Sequence, residues 1–504
     1  MADKSIKKNY IFNLIYQMLL IVAPLITTPY VSRIFGPEGT GLYSYTNSIV
    51  TYFTLVAVLG TATFGNRKIG YVQNDPEARS RAFWELYIFR LIVSGVTLAV
   101  YLVLFTVIFS QDTLIYLILS LNIVNIALDV SWFLQGMEEF GKTVSINIIL
   151  KTVSTALIFV LVKTPGDLPI YILLLVSCIV LGNAILWVYM PKHLKKVRGI
   201  RPFRDIKGII QLFIPTVAVQ VYTVLDKSMI GWFTEGNAEN GYYEQAEKIV
   251  KVALTLITSL GTVMIPRISR KFAEGDIGSI KYYIYKSYRF LWMLGVPLAL
   301  GIVVVSSIFV PVYFGDGYEK CIILLQLFSL LVFFIGSGHV TGLQFLVPTS
   351  QQNVFTLSVV FGAVANLILN LFLIPRFYSV GACVSSVIAE LIVCSTQLIY
   401  VHKTKQLELK PVFSSCPKYI ISGGVMCGVL ILIKSFMPIS WWALAVLIGS
   451  GVAIYFLCLL VLKDKFFIEL VRKTLSTVLK VFKRNRDTAD SAKEVSSSGE
   501  ENNI

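Results

Sequence analysis

Long apolar runs separated by short polar segments constrain this chain more than any other feature of its sequence. As a helix, a run of about 18–25 residues crosses a hydrocarbon core about 30 Å thick and satisfies its backbone hydrogen bonds internally. Charged residues make up only 14% of the 504 residues and hydrophobic residues 56%, whereas a soluble domain is about 25% charged. The sequence therefore predicts an all-α polytopic membrane protein.

The apolar runs predict about fourteen transmembrane helices. Their centres lie near residues 22, 53, 97, 124, 153, 180, 220, 255, 301, 333, 364, 391, 427 and 451. If the N-terminus is cytoplasmic, most of the 44 Lys and Arg residues fall in cytoplasmic segments, chiefly 66–81, 191–207, 267–289, 402–418 and the C-terminal tail. Because cytoplasmic loops retain positive charge, we expect a multi-pass protein with both termini in the cytoplasm.

The chain also contains an internal repeat with an offset of about 200 residues. The matching segments are Gly41-Leu42-Tyr43 with Gly241-Tyr242-Tyr243, Leu59-Gly60-Thr61 with Leu260-Gly261-Thr262, Arg67 with Arg267, and 95–99 with 295–299. Six spans separate equivalent points, so the halves share one orientation, as in transporters with a central site. The predicted domains are an N-terminal lobe (1–190), a basic cytoplasmic linker (191–207), a C-terminal lobe (208–402), an extra pair of spans (411–462), and a basic amphipathic helix with a disordered tail (463–504).

Six cations lie inside predicted spans, where each costs about 2.5–3.5 kcal/mol at the bilayer centre unless it has a cavity or a partner. They are Arg33, Arg90, Lys151, Lys227, Lys248 and Lys251. Cations at several depths suit a route for an anion that crosses the bilayer. We therefore predict that several of them contact an anionic substrate.

The alternative is that these cations form structural ion pairs. Glu244 and Lys248, like Glu247 and Lys251, have the i, i+4 spacing and order that favour pairing on a helix. The other candidate pairs are Asp226 with Lys227 and Asp129 with Lys151. Both readings stay open at the level of the sequence.

Polar groups inside the spans suggest two further roles. Asn122, Asn125, Asp129 and Trp132 have a spacing that predicts one helix face, which suits contact with sugars or, equally, hydrogen bonding between helices. Asn366 and Asn370 are weaker cases, for which we favour packing. The titratable groups within spans are candidates for coupling transport to H⁺ or Na⁺; the candidates are Asp226, Glu247, His339 and Glu390.

Catalytic and cofactor motifs are missing from the sequence. It has no phosphate-binding loop of the G-x-x-x-x-G-K-[ST] type, no H-E-x-x-H and no G-x-S-x-G, and its three His residues lie far apart. Its seven cysteines are scattered singly, so no disulfide framework or metal site is predicted. The net charge of +15 fits membrane topology and contact with anionic lipids, and implies no nucleic-acid partner. We expect a transporter without cofactors rather than an enzyme.

Three stretches resemble a known family. SRIFGPEGTGLYSYTNSIVTYF at Ser32–Phe53, DVSWFLQGMEEFGK at Asp129–Lys142, and LDKSMIG followed by GYYEQAEKIV within Leu225–Val250 are similar to the Wzx polysaccharide flippases. These belong with lipid II flippases and MATE exporters in the MOP superfamily. The resemblance implies two six-helix lobes forming a V around a central cavity, with two further C-terminal helices.

The resemblance also implies a function. A flippase of this kind moves an undecaprenyl-diphosphate-linked oligosaccharide from the cytoplasmic to the outer leaflet of the bacterial inner membrane by alternating access, alongside polysaccharide polymerase and assembly proteins. In related lipid II flippases, basic residues on spans one, two and eight hold the diphosphate, and Arg33, Lys248 and Lys251 lie on the first and last of these. Span two departs from that pattern, because it has no cation between Gly41 and Gly65. The alternative function is that of a MATE-like cation-coupled multidrug antiporter.

Overall fold

The fold is all-helical throughout the part of the chain that the structure, a computed structural model, describes: residues 2–108, 112–472 and 476. The helices are α1 (Ala2–Val58), α2 (Thr61–Val72), α3 (Pro76–Val103), α4 (Thr113–Leu128), α5 (Ser131–Gly136), α6 (Phe140–Leu161), α7 (Leu168–Leu186), α8 (Ile206–Phe233), α9 (Ala238–Ala273), α10 (Ile277–Tyr313), α11 (Lys320–Phe328), α12 (Leu331–Gly338), α13 (Gln352–Lys403), α14 (Leu409–Phe413), α15 (Cys416–Ser435) and α16 (Trp441–Val461). Short π-helical segments follow α3 and α12 (Leu104–Ile108 and His339–Leu346), and 3-10 turns cover Pro165–Asp167 and Trp187–Lys192.

Two of the longest helices are each a pair of spans joined at a sharp kink. In α1 the kink is at Gly36, whose φ of 62° suits glycine because it has no Cβ, and Pro37 follows it. In α13 the kink is at Tyr378, with a φ of 53°. Among the described residues, 11 helical stretches are long and apolar enough to cross a membrane. Since two of them contain two spans each and α8 adds a further helix of 28 residues, the predicted polytopic all-α fold of about fourteen spans is confirmed.

The buried apolar core is divided along the chain. Two clusters are built from α1 to α7 and the start of α8, one from Val31 to Val176 and the other from Ile69 to Ile209. A third cluster runs from Met229 at the end of α8 to Phe467 after α16. The helices before and after α8 thus have largely separate cores, while the predicted domain bounds stay a prediction.

The two halves meet along α1 and α9. A Cβ added to Gly41 would lie 1.7 Å from the carbonyl oxygen of Asn237, and one added to Gly241 would lie 2.2 Å from that of Pro37. The two close approaches are reciprocal. The repeat offset relates Gly41 to Gly241 and Pro37 to Asn237, and each glycine packs on the Pro37 or Asn237 of the other half. We call this set of four residues the glycine contact. Its symmetry agrees with the internal repeat.

The segment after α16 turns back onto the C-terminal half. Asp464 accepts a hydrogen bond from the backbone N–H of Phe467 at 2.9 Å, and the chain is helical from 465 to 472. The ring of Phe467 stacks on Phe456 with centroids 4.9 Å apart. The described start of the predicted amphipathic helix is thus helical, while most of its later part and the predicted disordered tail fall outside the described residues, so this domain stays a prediction.

Candidate functional site

A polar cavity of about 230 Å³ lies between the two halves of the chain. Both arms of α1 line it, together with α6, α7, α8 and α9. Much of its wall consists of hydroxyl side chains, chiefly Thr27, Thr28, Ser44, Ser48 and Thr51. The cavity is therefore a water-compatible site at the depth of the helices, where polar groups mark candidate substrate routes.

Three of the predicted cations line this cavity: Lys151, Lys227 and Lys248. Lys151, on α6, is half-buried, and no carboxylate of the described residues lies within salt-bridge distance of its ammonium group. Lys227 and Lys248 approach it from α8 and α9. Lys151 is thus the lysine of the cavity that most needs a negatively charged ligand.

Lys227 and Lys248 belong to an ion-pair cluster. Lys227 contacts Glu244 and also Glu247, the latter at 2.9 Å, while Lys248 lies 3.2 Å from Glu244 and Lys251 lies 2.7 Å from Glu247. Both i, i+4 pairs expected from the sequence are therefore present. The cluster contains three lysines and two carboxylates, so its formal charge is +1. Together with Lys151, the cavity and the cluster have a formal charge of +2. Ser44 on α1 donates a hydrogen bond to Glu244 at 3.1 Å and joins the cluster to the other half.

Asp226 does not pair with Lys227, contrary to one of the predicted ion pairs. Its buried carboxylate instead accepts hydrogen bonds from Tyr243, Ser386 and Asn370, the last at 2.6 Å. Asn370 also donates to Asn366 at 3.0 Å. Neighbouring residues on a helix point in different directions, which explains why Asp226 and Lys227 have different partners. No cation among the described residues lies within salt-bridge distance of Asp226.

Asp129 pairs with Arg90 rather than with Lys151, so the second predicted pair is also wrong. The Arg90–Asp129 separation is 2.9 Å, and the Arg90 side chain is only 2% exposed. Asp129 follows α4 with extended backbone angles (φ −71°, ψ 112°) and caps the next turn by accepting from Ser131 N–H at 2.8 Å. The predicted polar stripe therefore crosses a break between α4 and α5.

The remaining members of that stripe also lie apart from the cavity. Trp132 is buried, its indole N–H donates to the Asp129 carbonyl at 3.1 Å, and its ring stacks on Phe83. Asn183 donates to Asn125 at 2.7 Å, and Asn122 is half-buried on α4. The structure thus places these groups in the N-terminal half, and their contact with sugar stays a prediction.

Four other predicted residues lie outside the cavity. Arg33 is exposed and donates to the Val312 carbonyl at 2.5 Å, and the Lys251 side chain is 57% exposed. His339 lies 3.3 Å from the side-chain amide of Gln344, and Glu390 is half-buried on α13. None of the four is among the residues that line the cavity.

The sequence reasoning missed the polar wall formed by α1. Tyr43, Asn47 and Thr51 all line the cavity from the second arm of this helix. They are spaced four residues apart, so they share one helix face, and that spacing was visible in the sequence. A separate, apolar cavity of about 370 Å³ lies among α9, α10, α11, α15 and α16, and its lining residues carry no charge.

Comparisons with known proteins agree with this architecture. A family model described as polysaccharide biosynthesis protein matches residues 6–272. The "Putative O-antigen transporter" of Escherichia coli (strain K12) is 23% identical over 413 residues, which is 80% of this chain and 98% of that protein. The "Probable low-salt glycan biosynthesis flippase Agl15" of Haloferax volcanii is 23% identical over 334 residues, 65% of this chain and 69% of that protein.

Solved structures show the same fold. The structure titled "Lipid II flippase MurJ, inward closed conformation" has a TM-score of 0.71 at 15% identity and covers 92% of this chain and 99% of its own. An inward-facing multidrug resistance MATE family transporter of the MOP superfamily has a TM-score of 0.55 at 11% identity, covering 76% and 94%. At these identities the likeness concerns the fold alone.

Proposed function

The chain belongs to the family of polysaccharide biosynthesis proteins, and from that membership we propose that it is a flippase for a lipid-linked oligosaccharide. Its substrate is an undecaprenyl-diphosphate-linked repeat unit, which it moves from the cytoplasmic to the outer leaflet of the bacterial inner membrane. The observation that carries this proposal is the cavity between the halves, which Lys151 lines without a carboxylate partner among the described residues. The names of the E. coli and H. volcanii relatives support the same substrate class.

The charge of the cavity suits a diphosphate. A diphosphate diester carries two negative charges, which matches the formal +2 of the four lysines and two glutamates in and beside the cavity. Lys151 and the partly exposed Lys248 supply ammonium donors, and the hydroxyls of α1 supply neutral ones. Hydrogen bonds in which both partners are charged are the strong ones, so the anion is held mainly by the lysines.

Transport then follows by alternating access. With both termini in the cytoplasm, the kink at Gly36 lies on the outer side of the membrane. The glycine contact closes the cavity on that side. Separation of α1 from α9 opens that side after the diphosphate has bound. An inside-negative potential favours outward movement by about 2.3 kcal/mol per uncompensated charge per 100 mV. The polyprenyl chain stays in the surrounding lipid, and a polymerase and assembly proteins receive the product.

Asp226 is the proposed site of coupling to H⁺ or Na⁺. A buried carboxylate without a cation is costly, and its three donors, from Tyr243, Ser386 and Asn370, come from α9 and α13. A proton or Na⁺ that neutralises Asp226 therefore stabilises one packing of α8 against these helices. Glu247 is already held in two ion pairs, which makes it a weaker candidate than Asp226.

We expect Asp226→Asn to abolish the dependence of the transport rate on the coupling ion, because the amide cannot change its charge. The rate of substrate transport into proteoliposomes is measured across a series of Na⁺ concentrations and across a series of pH values. Asp316→Asn, the same substitution at an exposed position after α10, serves as the control and keeps the wild-type dependence. An Asp226→Asn protein whose rate still responds to the ion like the wild type contradicts the assignment.

A MATE-like multidrug antiporter is the rival function, because the MATE fold is similar. A cavity for organic cations needs carboxylates that are free to meet them, whereas here Glu244, which lines the cavity, already contacts Lys227 and Lys248. The lysines of the cavity also repel cations. The composition of the cavity therefore favours the flippase.

Depletion of the protein in its own host separates the two functions. We expect complete polyprenyl-diphosphate oligosaccharides to accumulate in the cytoplasmic leaflet, measured by leaflet-selective labelling and mass spectrometry. Restored expression clears them. Unchanged lipid intermediates together with a loss of drug efflux support the antiporter instead.

A further inference from the structure

A narrow recess extends the cavity toward the kink at Gly36. It shares Thr28, Tyr43, Tyr171 and Lys248 with the cavity and adds Gln245 from α9. Its volume is about 10 Å³, which is room for about one water molecule or one hydroxyl group. The recess is therefore too small for a ligand of its own but large enough for one group of a ligand that occupies the cavity.

Gln245, which lines this recess, carries a buried hydrogen-bond acceptor that is unused. The residue is only 2% exposed, and its Oε1 atom has no hydrogen-bond partner among the described residues. Most buried side-chain polar atoms in proteins have a partner, so an exception needs an explanation. A donor group that enters the recess lies beside this side chain and can supply the partner that the oxygen lacks.

Two tyrosines form an aromatic corner at the entrance of the recess. The rings of Tyr43 and Tyr171 meet edge to face, with centroids 5.8 Å apart and an interplanar angle of 80°. Both rings line the cavity as well as the recess. The negatively charged face of an aromatic ring attracts the C–H groups of an apolar or sugar ring, so this corner suits one face of a pyranose.

We propose that the recess is the subsite for the sugar joined directly to the diphosphate. The pyranose packs on Tyr43 and Tyr171, and one of its hydroxyl or amide donors enters the recess and donates to Gln245 Oε1. Lys248 lines both spaces, so a diphosphate at this lysine places its attached sugar at the recess. This inference rests on the proposed function and adds to it a residue that discriminates between glycosylated and bare lipid diphosphates.

Short-chain probes test the subsite on the purified full-length protein. The dissociation constants of farnesyl methyl diphosphate, farnesyl-diphospho-glucose and farnesyl-diphospho-N-acetylglucosamine, which are all diphosphate diesters of equal charge, are measured by calorimetry in detergent. We expect the wild type to bind at least one sugar conjugate on the order of tenfold more tightly than farnesyl methyl diphosphate. In Gln245→Leu the ratio of these dissociation constants falls to about one while the affinity for farnesyl methyl diphosphate is unchanged, because the lysines remain.

Two controls make the result specific. Gln220→Leu, at an exposed position of α8, keeps the wild-type ratio of dissociation constants between the probes with and without a sugar. The thermal unfolding midpoint of Gln245→Leu is not lower than that of the wild type, because leucine removes an unpaired buried acceptor. A wild type that binds farnesyl methyl diphosphate without preferring either conjugate, or a preference that survives in Gln245→Leu, overturns the subsite alone. A wild type that binds none of the three probes overturns the proposed function as well.

Discussion

Lys227→Met lowers the free energy of unfolding by about 3–5 kcal/mol, which is the usual cost of removing one partner from a buried ion pair. The lysine contacts both Glu244 and Glu247, and all three side chains are 14–15% exposed. Without Lys227, two neighbouring carboxylates remain in a region of low dielectric and repel each other. Lys248 and Lys251 contact these two carboxylates only from the more exposed side of the cluster, because their own side chains are 33% and 57% exposed.

Reversible unfolding in mixed detergent micelles, followed by circular dichroism, measures this change. The matched control is Lys251→Met, which removes the same charge from a mostly exposed side chain and costs no more than about 1 kcal/mol. Adding Glu244→Gln to Lys227→Met recovers part of the loss, because one uncompensated charge disappears. Equal stability losses in the two single lysine variants contradict the assignment of Lys227 as the centre of the cluster.

Gly41→Ala and Gly241→Ala open the glycine contact. The added Cβ in Gly41→Ala falls 1.7 Å from the Asn237 carbonyl oxygen, and that in Gly241→Ala falls 2.2 Å from the Pro37 carbonyl oxygen. Neither clash can be relieved by rotating a side chain, because both partners are backbone atoms. Overpacking of this kind costs about 1–3 kcal/mol, which shifts the balance between closed and open states by about 5- to 150-fold.

Hydrogen–deuterium exchange measures the opening in the native chain. We expect faster exchange in peptides covering 36–41 and 237–241 for either variant, because backbone groups such as Asn237 N–H, which donates to Glu38 at 2.8 Å, lose their partners. Gly95→Ala is the control, since a Cβ at this position has nothing within 4 Å. If exchange rises in only one of the two glycine variants, the result contradicts the reciprocal role of Gly41 and Gly241 that we infer from the repeat.

The overall fold could be predicted because its causes are local. Apolar runs set the helices, and a glycine followed by a proline at Gly36 and Pro37 marks the turn between the first two spans. The repeat could also be found in the sequence, because equivalent residues such as Gly41 and Gly241 occupy equivalent turns of their helices. These features need no knowledge of how distant helices pack.

The partners of the buried charges could be predicted only where they share a helix. The Glu244–Lys248 pair follows from its spacing on α9, whereas Asp129 has its partner, Arg90, on α3. That pair depends on how α3 packs beside α4, which no spacing within one helix specifies. The same reason explains why the sequence could not distinguish Lys151 from the other cations. Within the part of the chain that the structure describes, its lack of a carboxylate partner is a property of the assembled helices.

Transport of a polyprenyl-diphosphate sugar by Lys151→Gln tests the central claim most directly. In proteoliposomes that contain a fluorescent substrate, the fraction moved between leaflets is followed with a quencher that reaches only the outer one. Loss of a charged hydrogen bond weakens binding on the order of tenfold to a hundredfold, so we expect a comparable fall in transport at low substrate concentration. Lys434→Gln, whose lysine contacts the Val304 carbonyl away from the cavity, keeps the wild-type rate. A wild-type rate for Lys151→Gln contradicts the proposal that this cavity carries the diphosphate.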